Sequence, residues 1–196
     1  MVLCLGVITL VCGAILAGVY VITEDPIAQA VQAKTEAAIA AVCPAYKSLS
    51  EMKTPDGTPY YIAVDGAGAP VGYVVSAVSD GFGGPLTLMV GFRPDGTIYD
   101  TAVLSHSETP GLGAKCVEDT FSGQFKGFDP AVKMLSVRKD GGDVDAITAS
   151  TITSRAYCAA LKKAVETFSL IEIPVAKEEE EIVPAAVPEE EDNNNE

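Results

Sequence analysis

The chain has 196 residues, of which 48% are hydrophobic, and it carries a formal net charge of −14. This length and apolar content predict one globular domain with appendages and exclude a chain that is disordered throughout. The sequence shows no basic patch and no alternation of basic with aromatic residues, so we expect no nucleic-acid partner.

The first predicted element is an uncharged, nearly all apolar run over residues 1–23. A helix of this length rises about 30 Å at roughly 1.5 Å per residue, which is enough to cross a bilayer. A cleaved signal peptide is the alternative, but the run lacks a basic start and a small-residue cleavage site. We therefore predict a retained single-pass anchor. The positive-inside rule permits, without requiring, a domain outside the cytoplasm.

A second helix is predicted directly after the anchor, over residues 24–44. Asp25 suits a helix N-cap with Pro26 in the first turn, and apolar residues then recur at helical spacing until Pro44. This pattern indicates a stalk that lifts the following domain off the membrane and packs against it.

Between residues 58 and 104 the apolar period changes to two, which predicts β-strands. Four strands are expected, at residues 58–65, 71–78, 86–92 and 97–104, with turns rich in Gly and Pro between them. Such turns favour an antiparallel meander. A fifth β-like run covers residues 131–137. Strands first and helices at the ends predict an α+β domain over residues 45–171 and exclude a Rossmann sheet.

The segment before the last predicted helix is crowded with hydroxyl groups. Five of them lie within seven residues, namely Thr148, Ser150, Thr151, Thr153 and Ser154. Apolar residues recur at helical spacing from Ile152 onward, so these hydroxyls lie at a helix N-terminus. Unpaired N–H groups and the helix dipole favour an anion such as a phosphate there. From the spacing alone, a helix cap with surplus Ser and Thr is the simpler interpretation.

The stretch Asp-Ala-Ile-Thr-Ala-Ser-Thr in this segment resembles the flavinylation motif D-x-x-(S/T)-G-A-T of the FMN-binding domain family. In that family the last Thr of the motif carries FMN through a phosphoester bond. By this resemblance Asp145 matches the motif Asp, Thr148 the Ser or Thr, and Thr151 the modified residue. Two positions depart from the motif, because Ala149 stands in place of Gly and Ser150 in place of Ala.

A second stretch, directly after the fourth predicted strand, carries the same resemblance. Residues 108–115 read E-T-P-G-L-G-A-K, and Q-F-K-G follows at residues 124–127. Pro110 and the two glycines allow a tight turn and a close approach of the backbone to a ligand. The cofactor-binding residues implied by the resemblance are Thr151 as the attachment point, Asp145, Thr148, Ser150 and Thr153 near it, and Glu108, Thr109, Gly111, Leu112, Gly113 and Lys115 in the loop.

Within this family the chain most resembles the G-type subunits of Rnf ion-translocating ferredoxin:NAD oxidoreductases, which are related to the C-type subunits of sodium-pumping NADH:quinone reductases. The resemblance covers about residues 2–170. It implies an electron-transfer subunit of a redox-driven translocase in the cell membrane, with its domain on the extracytoplasmic side. It further implies covalent FMN, other membrane subunits of the complex as partners, a flavin transferase for maturation, and no stand-alone catalysis.

A function of another class also fits the sequence: a membrane-tethered binding or assembly module without redox chemistry, in which the hydroxyl-rich turn is only a helix cap. His106 is the only histidine, so neither a histidine-based metal site nor a Ser-His-Asp hydrolase is predicted. The Gly-rich residues 79–85 lack the Lys-Ser/Thr of a P-loop, which predicts a wide hairpin turn that is free to lie over the flavin.

Two further features of the sequence concern the cysteines and the tail. The five cysteines show no C-x-x-C pattern; Cys43, Cys116 and Cys158 are expected to be buried thiols or to include one disulfide. Residues 172–196 contain ten acidic residues and one lysine. Mutual repulsion and scarce apolar surface predict that this tail is disordered.

Overall fold

The computed structural model describes residues 2–171, so the predicted acidic tail lies outside the described residues. The long elements are helix α1 (Val2–Val42), strands β1 (Ser48–Lys53), β2 (Pro59–Val64), β3 (Pro70–Asp80), β4 (Pro85–Phe92) and β5 (Ile98–Ser105), and helix α3 (Thr151–Ser169). The short elements are helix α2 (Asp119–Ser122) and the 3₁₀ helices Gly113–Val117, Gly123–Phe125 and Arg138–Asp140. This is the predicted α+β arrangement.

The five strands form one sheet in the order β1-β2-β3-β4-β5, and all neighbours are antiparallel. The predicted meander is therefore confirmed, and its four strands correspond to β2–β5. Strand β1 was not predicted because its side chains are mostly polar and exposed, so it shows no alternation. The strand predicted at residues 131–137 is wrong: Val137 makes an isolated bridge to Val144, while Val132 and Met134 are exposed.

Alternate residues of the central strands contribute to two separate cores, as the period of two requires. On one face, Tyr73 and Val75 pack in the larger core with helix α3. On the other face, Val74 packs in a smaller core with Ile39 and Val42 at the end of α1. The sheet is therefore covered by the C-terminal helix on one side and by the end of the N-terminal helix on the other.

Helix α1 runs without a break from Val2 to Val42 and contains Pro26 in its interior. The expected N-cap at Asp25 and the separate second helix are therefore wrong. Proline removes one backbone hydrogen bond, but the Ala-rich turns that follow it favour the helix strongly enough to continue it. Residues 5–34 are exposed. By length and composition, α1 is the one helix within the described residues that is able to cross a membrane.

Two glycines let the end of α1 lie directly on the sheet. A Cβ atom on Gly91 of β4 would lie 1.6 Å from the carbonyl oxygen of Val42, and a Cβ on Gly72 of β3 would lie 2.8 Å from Cys43 Sγ. No side chain fits at either distance. The bare backbone of these strands is therefore what fixes the orientation of the helix on the domain.

Replacing Gly91 by Ala should destabilise the domain by about 1–3 kcal/mol, because the added methyl group forces the Val42 backbone away from the sheet. Urea unfolding of the purified protein in detergent measures this loss. The matched control is Gly66→Ala, where the nearest atom, Lys47 Cδ, would be 3.7 Å from the new Cβ and little change is expected. Equal stability of the two variants would contradict this account of the helix–sheet contact.

Candidate functional site

A cleft of about 360 Å³ opens where three segments meet: the start of α3, the turn between β3 and β4, and the loop after β5. It is lined by Phe82, Glu108, Thr109, Leu112, Gly113, Ala149, Ser150, Thr151, Ile152 and Thr153. Its volume lies within the range of small-molecule sites, roughly 300–1,000 Å³. Seven of the eleven predicted site residues are thus brought together, although they come from loops about 40 positions apart.

The other four predicted residues lie outside this cleft. Lys115, Asp145 and Thr148 line a second, more polar depression of about 320 Å³, together with Gln124, and Gly111 lines neither of the two. Gln124 holds the backbone of Asp145 on both sides: the Asp145 N–H donates to Gln124 Oε1 at 2.8 Å, and Gln124 Nε2 donates to the Asp145 carbonyl at 3.2 Å. The motif residues are therefore divided between two surfaces.

The Asp145 carboxylate is exposed, and Asp145 lines the second depression rather than the cleft. It pairs with Arg138 Nε at 2.8 Å, and both side chains are largely exposed. An ion pair in this position contributes little to stability because water screens it. The Asp145 side chain is therefore held on the surface, where another molecule has access to it.

Thr151 differs from three other hydroxyls of this segment, which are buried, while Thr148 is exposed outside the cleft. Ser150, Thr153 and Ser154 are buried. The Thr153 hydroxyl donates to Glu108 Oε2 at 2.7 Å, and the Ser154 hydroxyl donates to the Ser150 carbonyl at 3.0 Å. The Thr151 side chain is half-buried at the cleft and makes no hydrogen bond within residues 2–171. Among the α3 hydroxyls that line the cleft, namely those of Ser150, Thr151 and Thr153, it is thus the one available to an incoming group.

The predicted helix N-terminus is confirmed, because α3 begins at Thr151 with Ser150 as its N-cap. The Ser150 side chain does not make a capping hydrogen bond. Within the described residues, the N–H groups of Thr151, Ile152 and Thr153 have no acceptor, and the first intrahelical bond runs from Ser154 N to the Ser150 carbonyl. Free N–H groups at the positive end of a helix form a site that favours an anion.

Two details of the cleft were not evident from the apolar pattern of the sequence. Ile152, which was expected to begin the buried stripe of α3, is 52% exposed and lines the cleft. Phe82, at the turn between β3 and β4, is 68% exposed and also lines the cleft. Apart from the Gly-rich composition of its turn, no local signal marks Phe82 as a site residue.

Glu108 lies in the cleft wall, and its carboxylate already has protein partners. The side chain is 5% exposed and accepts hydrogen bonds from the N–H groups of Phe82 and Gly83 and from the Thr153 hydroxyl. Burial raises the pKa of the neighbouring Cys116 thiol to about 11, and the negative charge of Glu108 acts in the same direction. Cys43, Cys116 and Cys158 are buried free thiols, so none of them forms the disulfide that the sequence left open.

Ala149 has a backbone conformation that glycine prefers. Its φ is +60°, and it is the one non-glycine residue within residues 2–171 with a positive φ. An L-residue in this region costs roughly 1–2 kcal/mol, because its Cβ crowds the following carbonyl oxygen. The flavinylation motif has Gly at this position, so the structure gives a physical reason for that preference.

Replacing Ala149 by Gly should stabilise the protein by about 0.5–1 kcal/mol, because the relief of strain exceeds the added entropy of the unfolded chain. Thermal unfolding measures the change, with an expected rise of about 2–4 °C for each kcal/mol. Ala149→Val is the opposite control, since a β-branched residue is strained further at positive φ. A lower melting temperature for Ala149→Gly than for the parent would show that Ala149 is not strained.

Two parts of the chain match known protein families. Residues 81–166 match the model of the FMN-binding domain, and residues 2–42 match the model of the RnfG N-terminal region. The first match contains the whole cleft, from Phe82 to Thr153, as well as the second depression. The second match ends where α1 ends.

Relatives match over most of the chain. The G-type subunit of the proton-translocating ferredoxin:NAD(+) oxidoreductase complex of Clostridium ljungdahlii is 39% identical over 158 residues, which cover 79% of this chain and 82% of that protein. The G-type subunit of an ion-translocating oxidoreductase complex from Methanosarcina acetivorans is 45% identical over 121 residues, which cover 60% of this chain and 63% of that protein.

Among solved structures, the C-type subunit of the Na(+)-translocating NADH-quinone reductase from Parabacteroides distasonis is 28% identical, with a TM-score of 0.46 over 57% of this chain and 61% of that one. The family assignment rests on the sequence matches, which include both the N-terminal helix and the domain. The chain belongs to the RnfG family, the G-type subunits of ion-translocating oxidoreductase complexes.

Proposed function

We propose that this chain is a membrane-anchored flavoprotein that relays electrons within an Rnf-type ion-translocating ferredoxin:NAD oxidoreductase. The Clostridium ljungdahlii relative is a subunit of a proton-translocating ferredoxin:NAD(+) oxidoreductase complex, and the Methanosarcina acetivorans relative is a subunit of an ion-translocating oxidoreductase complex. The chain also contains an FMN-binding domain. The chain acts as one part of that redox-driven translocase and has no stand-alone activity. Its partners are the other membrane subunits of the complex.

FMN is attached covalently, by a phosphoester bond to Thr151. The observation that carries this proposal is that Thr151 has a free hydroxyl in the cleft, while Ser150 and Thr153, which are chemically equivalent candidates, are buried. The bound phosphate fits beside the unpaired N–H groups of Ile152 and Thr153, which offset its negative charge. Both the attachment point and the anion site are therefore available in one place.

When bound, FMN supplies the electron-transfer chemistry. The residues of the chain hold and surround it. The covalent bond at Thr151 keeps the cofactor from being lost to the medium, and Phe82, Leu112 and Ile152 offer exposed apolar surface that excludes water from part of the cleft.

Asp145 and Thr148 serve the attachment reaction and not the bound cofactor. They line the second depression and not the cleft, and the Asp145 carboxylate is exposed. Two hydrogen bonds with the Gln124 side chain hold the Asp145 backbone in place. These features fit recognition by a flavin transferase, which reads the distance from Asp145 to Thr151 on the folded surface.

The chain spans the cell membrane once, through the apolar part of α1, and places its domain on the extracytoplasmic side. The exposure of residues 5–34 supports a bilayer environment, because this helix has no other apolar surface to pack against within the described residues. The charged residues Glu24 and Asp25 follow the apolar run and set the membrane boundary near its end.

The alternative function, a non-redox binding or assembly module, treats the hydroxyl-rich turn as a helix cap. Two observations argue against it. Ser150, which occupies the N-cap position, makes no capping hydrogen bond with its side chain, and Thr151 faces the cleft. The turn therefore has an accessible hydroxyl group that a helix cap does not require. It also leaves unpaired N–H groups that a helix cap would have satisfied.

The test is mass spectrometry of the protein after coexpression with a flavin transferase. The tryptic peptide of residues 140–155 contains all five hydroxyls, so fragmentation must place the modification within it. We expect the mass of one FMN, less one water, on Thr151 in the parent. Thr151→Val should abolish the modification, because valine has the same shape without the hydroxyl.

The matched control is Ser150→Ala, which removes the neighbouring hydroxyl and should leave the modification in place. Alanine is also the residue of the family motif at this position. Flavin retained on the same peptide of Thr151→Val would refute attachment at Thr151.

A further inference from the structure

The buried carboxylate of Glu108 connects two walls of the cleft. Its Oε1 atom accepts hydrogen bonds from Phe82 N at 2.7 Å and Gly83 N at 3.3 Å, in the turn between β3 and β4. Its Oε2 atom accepts from Thr153 Oγ1 at 2.7 Å, in the first turn of α3. All three partners donate, so the group acts purely as an acceptor, as an ionised carboxylate does.

Two glycines lie directly against this carboxylate and leave no room for a side chain of their own. A Cβ on Gly81 would lie 2.0 Å from Glu108 Oε1, and a Cβ on Gly113 would lie 2.3 Å from Oε2. The carboxylate therefore has one position, between the two glycines. Hydrogen bonds to a charged acceptor are roughly twice as strong as neutral ones, so Glu108 joins the β3–β4 turn strongly to the first turn of α3.

The base of the β3–β4 hairpin is fastened to α3 independently of Glu108. Ser79 Oγ donates to the Ala156 carbonyl at 2.6 Å, and Lys163 Nζ donates to the Val78 carbonyl at 2.8 Å. Both contacts lie below the tip of the hairpin. Loss of the Glu108 carboxylate would therefore remove the hydrogen bonds that hold the tip, which carries Phe82, and leave the base of the hairpin attached to the helix.

Phe82 is the residue whose position depends on this connection. Its backbone N–H is bound to Glu108, while its side chain is 68% exposed and lines the cleft. An exposed aromatic ring on a turn gains little from the protein itself. Its flat apolar face is, however, suited to contact a planar aromatic ligand.

We propose that Glu108 is a positioning residue that holds Phe82 at the cleft, where the phenyl ring contacts the flavin ring system. This proposal rests on the proposed attachment of FMN at Thr151. Both oxygens of Glu108 already accept hydrogen bonds from protein donors, and the side chain is buried in the cleft wall. Its influence on the flavin passes through Phe82.

The experiment uses the full chain, flavinylated by coexpression and purified in detergent. The readout is the visible circular dichroism of the flavin per bound FMN, which reports how asymmetrically the ring is surrounded. Phe82→Ala and Glu108→Ala should each lose at least half of the parent signal. The double variant should lose no more than the larger single loss, because the two residues act through one contact.

Two further variants separate positioning from a general effect on the protein. Glu108→Gln should keep most of the signal, because its amide oxygen still accepts from Phe82 N and the Thr153 hydroxyl can turn to accept from its NH₂ group. Glu166→Gln is the matched control, since it removes the same charge from a position near the other end of α3, away from the cleft, and should match the parent.

Parent-like dichroism in Phe82→Ala would overturn the proposal, as would losses that add in full in the double variant. If Glu108→Ala does not fold, Phe82→Ala still decides whether the phenyl ring surrounds the flavin, since Phe82 is exposed and its loss leaves the core intact. Gly83→Ala then tests the connection, because its Cβ would lie 2.0 Å from the Ser107 carbonyl oxygen and displace the tip, so a parent-like signal in that variant would overturn the positioning role. Mass spectrometry of each sample shows whether FMN is attached to Thr151, so that an unexpected dichroism result can be assigned to missing flavin or to the surroundings of bound flavin. Flavin absent from Thr151 in the parent overturns the attachment and this proposal together, whereas flavin present with unchanged dichroism overturns the positioning role alone.

Discussion

The packing of helix α3 across the sheet is the constraint on which the site depends. Its buried side chains join the strands in the larger core, and the Tyr157 hydroxyl meets Thr101 Oγ1 at 2.7 Å inside that core. Burial raises the pKa of Tyr157 far above its usual value, so the phenol stays neutral. The helix is therefore fixed along its length, and its first turn is held at the cleft with the N–H groups of Thr151, Ile152 and Thr153 unpaired.

The opposite face of the sheet relates this site to the membrane helix. The end of α1 lies against Gly72 and Gly91, and the same helix continues without a break to Val2. At about 1.5 Å per residue, residues 24–38 extend over roughly 20 Å beyond the apolar run. The continuous helix therefore sets the distance between the sheet and the apolar run.

Local patterns in the sequence predicted the meander, the hydroxyl-rich start of α3 and the loop after β5, since each depends on spacing between near neighbours. Other features depend on contacts between residues that are far apart in the sequence. The periodic pattern of apolar residues does not reveal such contacts. Glu108 binds Phe82 and Thr153, which are 26 and 45 positions away, and the separation of Asp145 from Thr151 follows from how Gln124 holds the Asp145 backbone. The expected cap at Asp25 failed because helix propensity on both sides outweighed the proline.

The most direct test of the central claim is a crystal structure of the flavinylated protein. The account predicts continuous electron density from Thr151 Oγ1 into a phosphate group that lies within hydrogen-bonding distance of the Ile152 and Thr153 N–H groups, with the rest of the FMN in the cleft beside Phe82. Density for FMN on another hydroxyl, or in the depression lined by Gln124 and Asp145, would contradict it.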